Sequence, residues 1–372
     1  MRRFDSWKLR EDVREHPAAT LRQKACGSVR YSTHVELRRA AAGGTAWWHG
    51  VIQCRARMCP VCWIARRYKA GAEVAWCVGA RERETAKLAK LRELPAPQSY
   101  LITLTVRHSA SDPVSIVRDV RSCWRSLIQS RAWRKWAADH GVQWICAEEV
   151  TRGDNGWHPH LHVLAMPEKK IDPRDSYSLS GLLFMHWART VARRMGEQHA
   201  PQREAKRCRH CGSERSRLER ERVICAGCDR EWQGHAIGVD FRPCDAAGYL
   251  TKLGYELADP AAQKGAAPLA LLEGGSIDHY MELQETRHRA RDITYSRGLK
   301  GVRDARPDGE SPITLLGVRG SDWGRMRAIG WDIPLEVADA SESERTAREA
   351  IEKHLGKIQE PEHDNDHARW EK

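Results

Sequence analysis

Residues 157 to 164 read Trp157-His158-Pro159-His160-Leu161-His162-Val163-Leu164. Successive side chains of a β-strand alternate between its two faces, so His160 and His162 project from one face with an apolar residue turned to the other. The alternation extends to His158, but Pro159 predicts that the strand begins only there. Two imidazoles on one strand face form half of a divalent-metal site, or they decorate a solvated strand that binds nothing.

The preceding segment adds a carboxylate to these histidines. Residues 144–151 form a strand-like run, and Asn155-Gly156 a few residues later predicts a β-hairpin. A loop of two residues places Glu149 opposite His162, and a loop of four residues places it opposite His160. Such a mixed nitrogen and oxygen site with open positions suits Mg²⁺ or Mn²⁺ acting on a phosphate. The candidate metal ligands are Glu149, His160 and His162, with Glu148 as the alternative if the loop has an odd length.

Two further segments carry reactive residues. Residues 100–108 form a β-branched strand that ends in His108, and residues 245–252 contain Tyr249 followed three positions later by Lys252. Together with the histidine strand, these segments resemble the three ordered motifs of the HUH endonucleases, specifically the replication initiator (Rep) proteins of bacterial rolling-circle plasmids. The run 149–162 resembles the central motif of that family closely, and residues 296–299 resemble another of its segments. The similarity extends over about residues 20 to 300.

The resemblance implies a fold and a reaction. The family fold is a central antiparallel sheet that presents the histidines, and Tyr249 is then the nucleophile, with Tyr255 as its rival. It cuts one strand of the plasmid origin, which leaves a 5′-phosphotyrosyl link and a free 3′-hydroxyl primer, and rejoins the strand at termination. Lys252, one helical turn beyond the tyrosine, neutralises a phosphate oxygen or lowers the pKa of the phenol. Asp245 activates water at termination, a role for which the family more often uses glutamate.

Composition agrees with a nucleic-acid partner. The chain has 372 residues and a formal net charge of +12, and residues 1–95 hold 20 Lys and Arg against 9 Asp and Glu. The length predicts two or three structural units, and the basic first quarter predicts a surface that binds a polyanion. There is no apolar run of the ~20 residues that a membrane span needs, and the first residues do not resemble a secretory signal. We therefore expect a cytoplasmic bacterial protein that binds origin DNA, with the host replication helicase and polymerase as partners.

The twelve cysteines indicate metal sites more than disulfides in such a compartment. Two CxxC pairs separated by thirteen residues predict a zinc ribbon at about 203–234, inserted between the histidine hairpin and Tyr249. Its four predicted ligands are Cys208, Cys211, Cys225 and Cys228.

A second group of cysteines predicts another structural zinc. Cys54, Cys59 and Cys62 need a fourth ligand, and Cys26 resembles an upstream cysteine of the Rep family, with His49 and His34 as alternatives. The helix-like run after Cys62 is basic and contains an aromatic residue, which favours contact with a nucleic-acid backbone. The candidate DNA-binding residues are Arg66, Arg67 and Lys69, together with His108 at the end of the first strand. Four cysteines without metal spacing are predicted to be core thiols: Cys77, Cys123, Cys146 and Cys244.

The order of elements predicts an α+β fold. A strand at 100–108, a helix near 114–138, the hairpin 144–166, a helix at 179–196 and a strand near 235–242 suit an antiparallel sheet with helices packed on one face. We expect a basic zinc-containing region at 1–95, a nicking domain at 96–256, a mixed region at 257–338 and a charged tail at 339–372 that forms an exposed helix.

Three other functions fit parts of this pattern. A transposase or relaxase would share the histidine pair and the tyrosine. A zinc-dependent hydrolase would use His160 and His162 on zinc, with Tyr249 incidental. A non-catalytic zinc-containing DNA-binding protein would carry the histidines on a strand without using them.

Overall fold

The computed structural model describes residues 5–29, 34–40, 46–56, 58–95, 97–171, 173–201, 211, 213, 216–219, 222–230, 238–244, 268–287, 291, 293–305, 312–319, 322–323, 333–341 and 343–359. The helices are α1 (Asp5–Glu15), α2 (Leu21–Lys24), α3 (Pro60–Leu91), α4 (Ile116–Gln129), α5 (Arg131–Asp139), α6 (Pro173–Met195), α7 (Pro268–Glu273), α8 (Ile277–Arg287), α9 (Arg297–Asp304), α10 (Ile333–Ala340) and α11 (Glu344–Gln359). The strands are β1 (His34–Ala40), β2 (Trp47–His49), β3 (Ser99–Thr105), β4 (Gln143–Gly153), β5 (Gly156–Met166), β6 (Ser216–Glu219), β7 (Arg222–Cys225), β8 (Val239–Cys244), β9 (Ile293–Tyr295) and β10 (Pro312–Arg319).

The chain divides into two compact units that do not follow the predicted linear segments. The first unit combines Met1–Ile64 with Pro307–Lys372, and the second is Ala65–Arg306. The two parts of the first unit meet because β10 pairs antiparallel with β1, from His34 opposite Arg319 to Ala40 opposite Pro312. The divisions after Ile64 and before Pro307 differ from the predicted boundaries at 95, 256 and 338. Pairing between strands so distant in sequence leaves no local signal that a sequence pattern could reveal.

The first unit has its own apolar core. Its sheet has the strand order β10-β1-β2, and the alternating Val35 and Leu37 of β1 are fully buried. Trp323 packs edge-on against Trp48 with ring centroids 5.0 Å apart. Helix α11 contributes Ala347 and Ile351 to this core. The prediction of an exposed tail helix was therefore wrong for the described part of the tail, since one face of α11 is buried; residues 360–372 lie outside the described residues.

The second unit contains a five-stranded sheet with the strand order β8-β3-β5-β4-β9. All four pairings are antiparallel, so the predicted α+β fold with an antiparallel sheet is confirmed. Strand β9 comes from the region that the sequence left unassigned. The residues that follow it hold it to β4: the amide of Ser296 donates to the carbonyl of Trp144 at 2.9 Å, and the amide of Trp144 donates to Oγ of Ser296 at 3.1 Å.

Helices pack on both faces of this sheet. On one face, Val74 and Val78 of α3 join Leu101 and Leu164 in one apolar cluster. On the other face, Arg121 of α4 lies 3.1 Å from a carboxylate oxygen of Glu148. The prediction of helices on one face was incomplete because the apolar half of the histidine-bearing face also has to be covered.

Several local predictions hold with shifted bounds. The helix predicted near 114–138 is two helices, because Ser130 ends α4 and its side chain accepts from the amide of Trp133 to begin α5. The strand predicted near 235–242 is β8, and the predicted core thiols Cys77, Cys123 and Cys146 are buried. In the part of the chain that the structure describes, no helix combines the length and apolar character of a membrane span.

Candidate active site

The hairpin β4–β5 places the candidate metal ligands on one face. Gly153 pairs with Gly156, and Glu149 lies opposite His160, which is the register predicted for the longer even loop. Strand β5 begins at Gly156, so the prediction that Pro159 marks the start of the strand was wrong. Pro159 lies within the strand, opposite Val150 of β4. Its carbonyl accepts a hydrogen bond from Oγ1 of Thr105 at 3.3 Å.

His162 is held from both sides. Its Nε2 donates to a carboxylate oxygen of Glu149 at 2.8 Å, and its Nδ1 lies 3.2 Å from Oγ1 of Thr103 on β3. The side chains of His162 and Glu149 are 7% and 18% exposed, which leaves the carboxylate open to solvent on one side. A metal ion on Nε2 requires the other tautomer, in which Nδ1 carries the proton and Nε2 has a free lone pair. Because a hydroxyl both donates and accepts, Thr103 can support that tautomer as well.

Glu148, the alternative ligand, points to the opposite face. Its side chain is 3% exposed and forms the ion pair with Arg121 of α4. Strand alternation puts neighbouring residues on opposite faces, so only Glu149 shares a face with the histidines.

The histidines form a row of imidazole rings. The ring centroids of His158 and His160 are 3.9 Å apart, and those of His160 and His162 are 6.0 Å apart with nearly parallel planes. Burial lowers the pKa of His158 to about 4 and that of His160 to about 3, with neighbouring imidazoles adding to both shifts. Both rings are therefore neutral at pH 7, which leaves a lone pair on each for a metal or a proton.

His108 extends this row from outside the strand. It follows the end of β3, its ring centroid lies 4.2 Å from that of His158, and its Nδ1 donates to the carbonyl of Asn155 at 2.9 Å. A carbonyl oxygen can only accept, so this hydrogen bond fixes the ring orientation. The predicted contact of His108 with DNA remains a prediction.

Gly156 allows the hairpin turn to lie against the segment after β3. Its φ is +80°, and a Cβ on it would lie 2.7 Å from the carbonyl oxygen of Ser109. Both the backbone conformation and the close approach require glycine.

We expect Gly156→Ala to lower the free energy of unfolding by about 1–3 kcal/mol, because it combines backbone strain with a clash against main-chain atoms. Gly153→Ala is the matched control: it lies directly opposite, and a Cβ there would meet nothing within 4 Å. Urea unfolding of the two variants measures the difference. Equal destabilisation of both would contradict the role given to Gly156.

The donor set fits a divalent cation but is not closed around one. Among the described residues, the sets of three or more candidate ligand atoms that lie within 4.8 Å of one another consist of cysteines. The hydrogen bond between His162 and Glu149 has to open for both to bind an ion. A buried Nδ1 of His160 that has no hydrogen-bond partner among the described residues is a further donor atom at the site.

Strand β8 brings a carboxylate to the histidine face that the sequence analysis missed. Asp240 lies opposite Thr103, and its carboxylate is 3.5 Å from the guanidinium of Arg242 on the same face. The alternation of Val239 to Arg242 indicated a strand with two charged residues on one face. It did not reveal which strand lies beside it. The predicted catalytic residues Asp245, Tyr249 and Lys252, and the rival Tyr255, lie outside the described residues.

The first cysteine group comes together in the first unit. Sγ of Cys26 lies 3.6 Å from that of Cys59 and 3.7 Å from that of Cys62, and Sγ of Cys54 lies 3.7 Å from that of Cys62. All four are buried, and neither alternative, His49 or His34, joins them. Hydrogen bonds from Cys54 and its neighbours hold the pKa of Cys26 far below its usual range, and hydrogen bonds with Cys26 and its neighbours raise that of Cys59.

The second cysteine group is brought together by the hairpin β6–β7. Cys211, Cys225 and Cys228 place their sulfurs within 4.8 Å of one another, and Cys208 lies outside the described residues. The amide of Gly227 donates to Sγ of Cys225 at 3.3 Å, as the amide of Ala56 does to Sγ of Cys54 at 3.4 Å. Hydrogen bonds from backbone amides to sulfur stabilise a thiolate, which is the form of cysteine that binds metal ions. Both groups therefore have a feature of metal-binding cysteines.

The basic run after Cys62 lies on α3, as predicted. Lys69 is exposed and Arg66 is half-buried, while the side chain of Arg67 is outside the described part of the structure. Nothing in the geometry assigns these residues to DNA, and that role remains a prediction.

Comparisons with known proteins agree with the resemblance drawn from the motifs. Residues 47–220 match a family described as "Replication protein". The chain is 27% identical over 155 residues to "Protein rep" of Streptomyces lividans, which covers 34% of this chain and 32% of that protein. It is 28% identical over 153 residues to a "Neomycin resistance protein" of Streptomyces cyanogenus, again covering 34% and 32%. The match therefore spans about a third of the length of each relative. No solved structure matches the chain.

Proposed function

We propose that this chain initiates rolling-circle replication of a plasmid by nicking one DNA strand. The proposal starts from residues 47–220, which match a family of replication proteins. The matched region contains the whole histidine row and Glu149 and ends before Asp245. The tyrosine chemistry therefore rests on the resemblance of residues 245–252 and on the geometry of the site.

One observation supports the proposal most strongly: Glu149, His160 and His162 share one face of the sheet, and Thr103 orients the second histidine. These two imidazoles and one carboxylate would hold Mg²⁺ or Mn²⁺. When bound, the ion polarises the scissile phosphate and stabilises charge on the leaving 3′-oxygen. Burial keeps the imidazole of His160 neutral at pH 7, and a neutral imidazole is the form that binds a metal ion.

The chain length allows Tyr249 to reach this site. Strand β8 runs from Asp240, opposite Thr103, to Cys244, opposite Ser99, so Cys244 lies about 14 Å from the level of Thr103 at ~3.4 Å per residue. Tyr249 follows five residues later, and five residues can span up to ~17 Å. The covalent connection thus permits the phenol to come back to the histidine face.

Tyr249 performs the transfer in this proposal. A tyrosine phenol ordinarily has a pKa of about 10, so attack requires loss of the proton, which a neighbouring cation such as Lys252 favours. The phenolic oxygen forms a bond to phosphorus while the bond from phosphorus to the 3′-oxygen breaks, and that oxygen takes up a proton. Because the phosphotyrosyl link is itself a phosphodiester, rejoining needs no nucleotide cofactor.

The proposal is tested by incubating the full chain with end-labelled single strands from the plasmid origin and Mn²⁺ or Mg²⁺. A covalent protein–DNA species and a free 3′-hydroxyl end are expected. Cleavage without a covalent species would favour a zinc-dependent hydrolase, and binding without cleavage would favour a non-catalytic DNA-binding protein. Joining of the cut strand to a second DNA molecule, in preference to extension from its 3′ end, would favour a transposase or relaxase.

We also propose that both cysteine groups bind structural zinc. Two Zn²⁺ per chain are expected, one held by Cys26, Cys54, Cys59 and Cys62 and the other by Cys211, Cys225, Cys228 and Cys208. The four sulfurs of each proposed site come together only in the folded chain, so the free energy of zinc binding adds to the free energy of folding.

We expect Cys59→Ser to reduce the zinc content from two ions to one per chain and to lower the midpoint of thermal unfolding. Cys123→Ser is the control: Cys123 is equally buried, and burial raises the pKa of its thiol to about 12. Elemental analysis of the purified full chain measures the zinc content. Two ions retained in Cys59→Ser, or fewer than two in Cys123→Ser, would contradict the assignment.

A further inference from the structure

Three histidines, not two, converge on the histidine face. His158, His160 and His162 occupy alternate positions of β5 and so project to the same side. Same-face residues of a strand are about 6.8 Å apart along it, yet the ring centroids of His158 and His160 are only 3.9 Å apart. The rings of His158 and His160 therefore lean together, so that His158 lies in contact with a candidate metal ligand.

His108 holds the His158 ring in this position. Its ring centroid lies 4.2 Å from that of His158. The hydrogen bond from Nδ1 of His108 to the carbonyl of Asn155, 2.9 Å long, fixes the His108 ring to the hairpin turn. A side chain from another element is thus placed by main-chain atoms so that it supports His158.

His160, the central ring, has an unmet hydrogen-bonding requirement. Thr103 and Glu149 serve the two nitrogens of His162, whereas Nδ1 of His160 is buried and has no hydrogen-bond partner among the described residues. Buried polar atoms are almost always paired, and a bound ion or a water molecule can supply the partner of one that is not. The unmet nitrogen lies on the ring that His158 approaches.

We propose that His158 is a third imidazole ligand of the cation held by Glu149, His160 and His162. This inference rests on the metal centre of the proposed function and deepens it. Three imidazoles and one carboxylate form a nitrogen-rich donor set, whereas Mg²⁺ prefers oxygen ligands and gives up its water reluctantly. The centre therefore selects a transition-metal dication: Mn²⁺ binds at least about tenfold more tightly than Mg²⁺. His108 acts as a positioning residue for His158.

The test uses Mn²⁺ as the probe on the full chain, supplied with only the two equivalents of Zn²⁺ that the cysteine groups are proposed to bind, because excess Zn²⁺ would compete with Mn²⁺ for imidazole ligands. Pulsed electron paramagnetic resonance counts the imidazole nitrogens bound to Mn²⁺, and titration gives the dissociation constant. Three imidazoles are expected in the unaltered protein and two in His158→Phe, with a dissociation constant at least about tenfold higher. Phenylalanine keeps an aromatic ring in contact with His108 and His160 and removes only the nitrogens. His140→Phe, which alters a histidine that follows α5 and is hydrogen-bonded to the carbonyl of Trp136, should leave both values unchanged.

Two imidazoles in the unaltered protein would overturn the inference, and this count does not depend on whether a variant folds. An unchanged dissociation constant in His158→Phe would also overturn it. His162→Gln separates this result from failure of the proposed function. If His162→Gln loses Mn²⁺ while His158→Phe does not, the metal centre stands without its third imidazole. If neither variant changes Mn²⁺ binding, the metal centre itself is wrong.

Discussion

Tyr249→Phe is expected to abolish the covalent protein–DNA species and to lower the rate of strand cleavage by roughly three orders of magnitude or more. The substitution removes the attacking oxygen and keeps the ring. Binding of the origin strand should change by less than about threefold, because affinity for single-stranded DNA comes mainly from phosphate contacts and base stacking. Gel electrophoresis of labelled DNA under denaturing conditions measures the covalent species.

Tyr255→Phe is the matched control for this experiment. It makes the same chemical change six residues farther along the chain, and it should leave both cleavage and the covalent species intact. Loss of the covalent species in Tyr255→Phe alone would assign the attack to Tyr255. Loss in both variants would indicate that two tyrosines act in one cycle.

Glu149→Gln is expected to weaken metal binding and Glu148→Gln to lower the stability of the fold, although the two residues are adjacent. Glu149→Gln removes the negative charge beside His162 and should weaken Mn²⁺ binding by about 10–100-fold and cleavage by a similar factor or more. Its carboxylate is partly exposed, so the free energy of unfolding should change by less than about 1 kcal/mol.

Glu148→Gln should instead destabilise the protein. Its carboxylate is buried against Arg121, and loss of one partner of a buried ion pair typically costs about 3–5 kcal/mol because the remaining charge is uncompensated. Mn²⁺ binding to the folded protein should be unchanged. Titration calorimetry and urea unfolding measure the two properties separately. Loss of Mn²⁺ binding in Glu148→Gln with normal binding in Glu149→Gln would show that the wrong carboxylate has been assigned.

The hairpin was predictable from sequence because its signals are local. The turn signal of Asn155-Gly156 and the alternation of β5 predicted that Glu149 and the histidines share one face, and the structure has one of the two predicted registers, with Asp154 and Asn155 as the turn residues. Cysteine spacing likewise identified three described members of each cysteine group whose sulfurs lie together in the structure. The fourth member of the first group, Cys26, came from resemblance to a family, since no local spacing connects it to Cys54.

The remaining features depend on contacts between segments far apart in the chain. The pairing of β10 with β1 and the place of β9 beside β4 leave no periodic signal, so a sequence pattern could not reveal either pairing. The place of His158 within β5 could not be predicted with the other histidines, because a proline in the sequence argues against a central strand. In the structure Pro159 lies one residue beyond the last pair between β3 and β5, which is Thr105 opposite His160. Asp240 was missed because the sequence does not show that its strand, β8, lies beside β3, where Asp240 is opposite Thr103.

The measurement that tests the central claim most directly is mass spectrometry of the covalent protein–DNA species after proteolysis. The full chain is incubated with an origin-derived single strand and Mn²⁺, digested with trypsin and trimmed with nuclease. We predict that a nucleotide, attached through its 5′-phosphate, modifies the peptide that contains Tyr249. Cleaved DNA without any modified peptide, or a nucleotide on a residue outside the segment 245–252, would contradict the account.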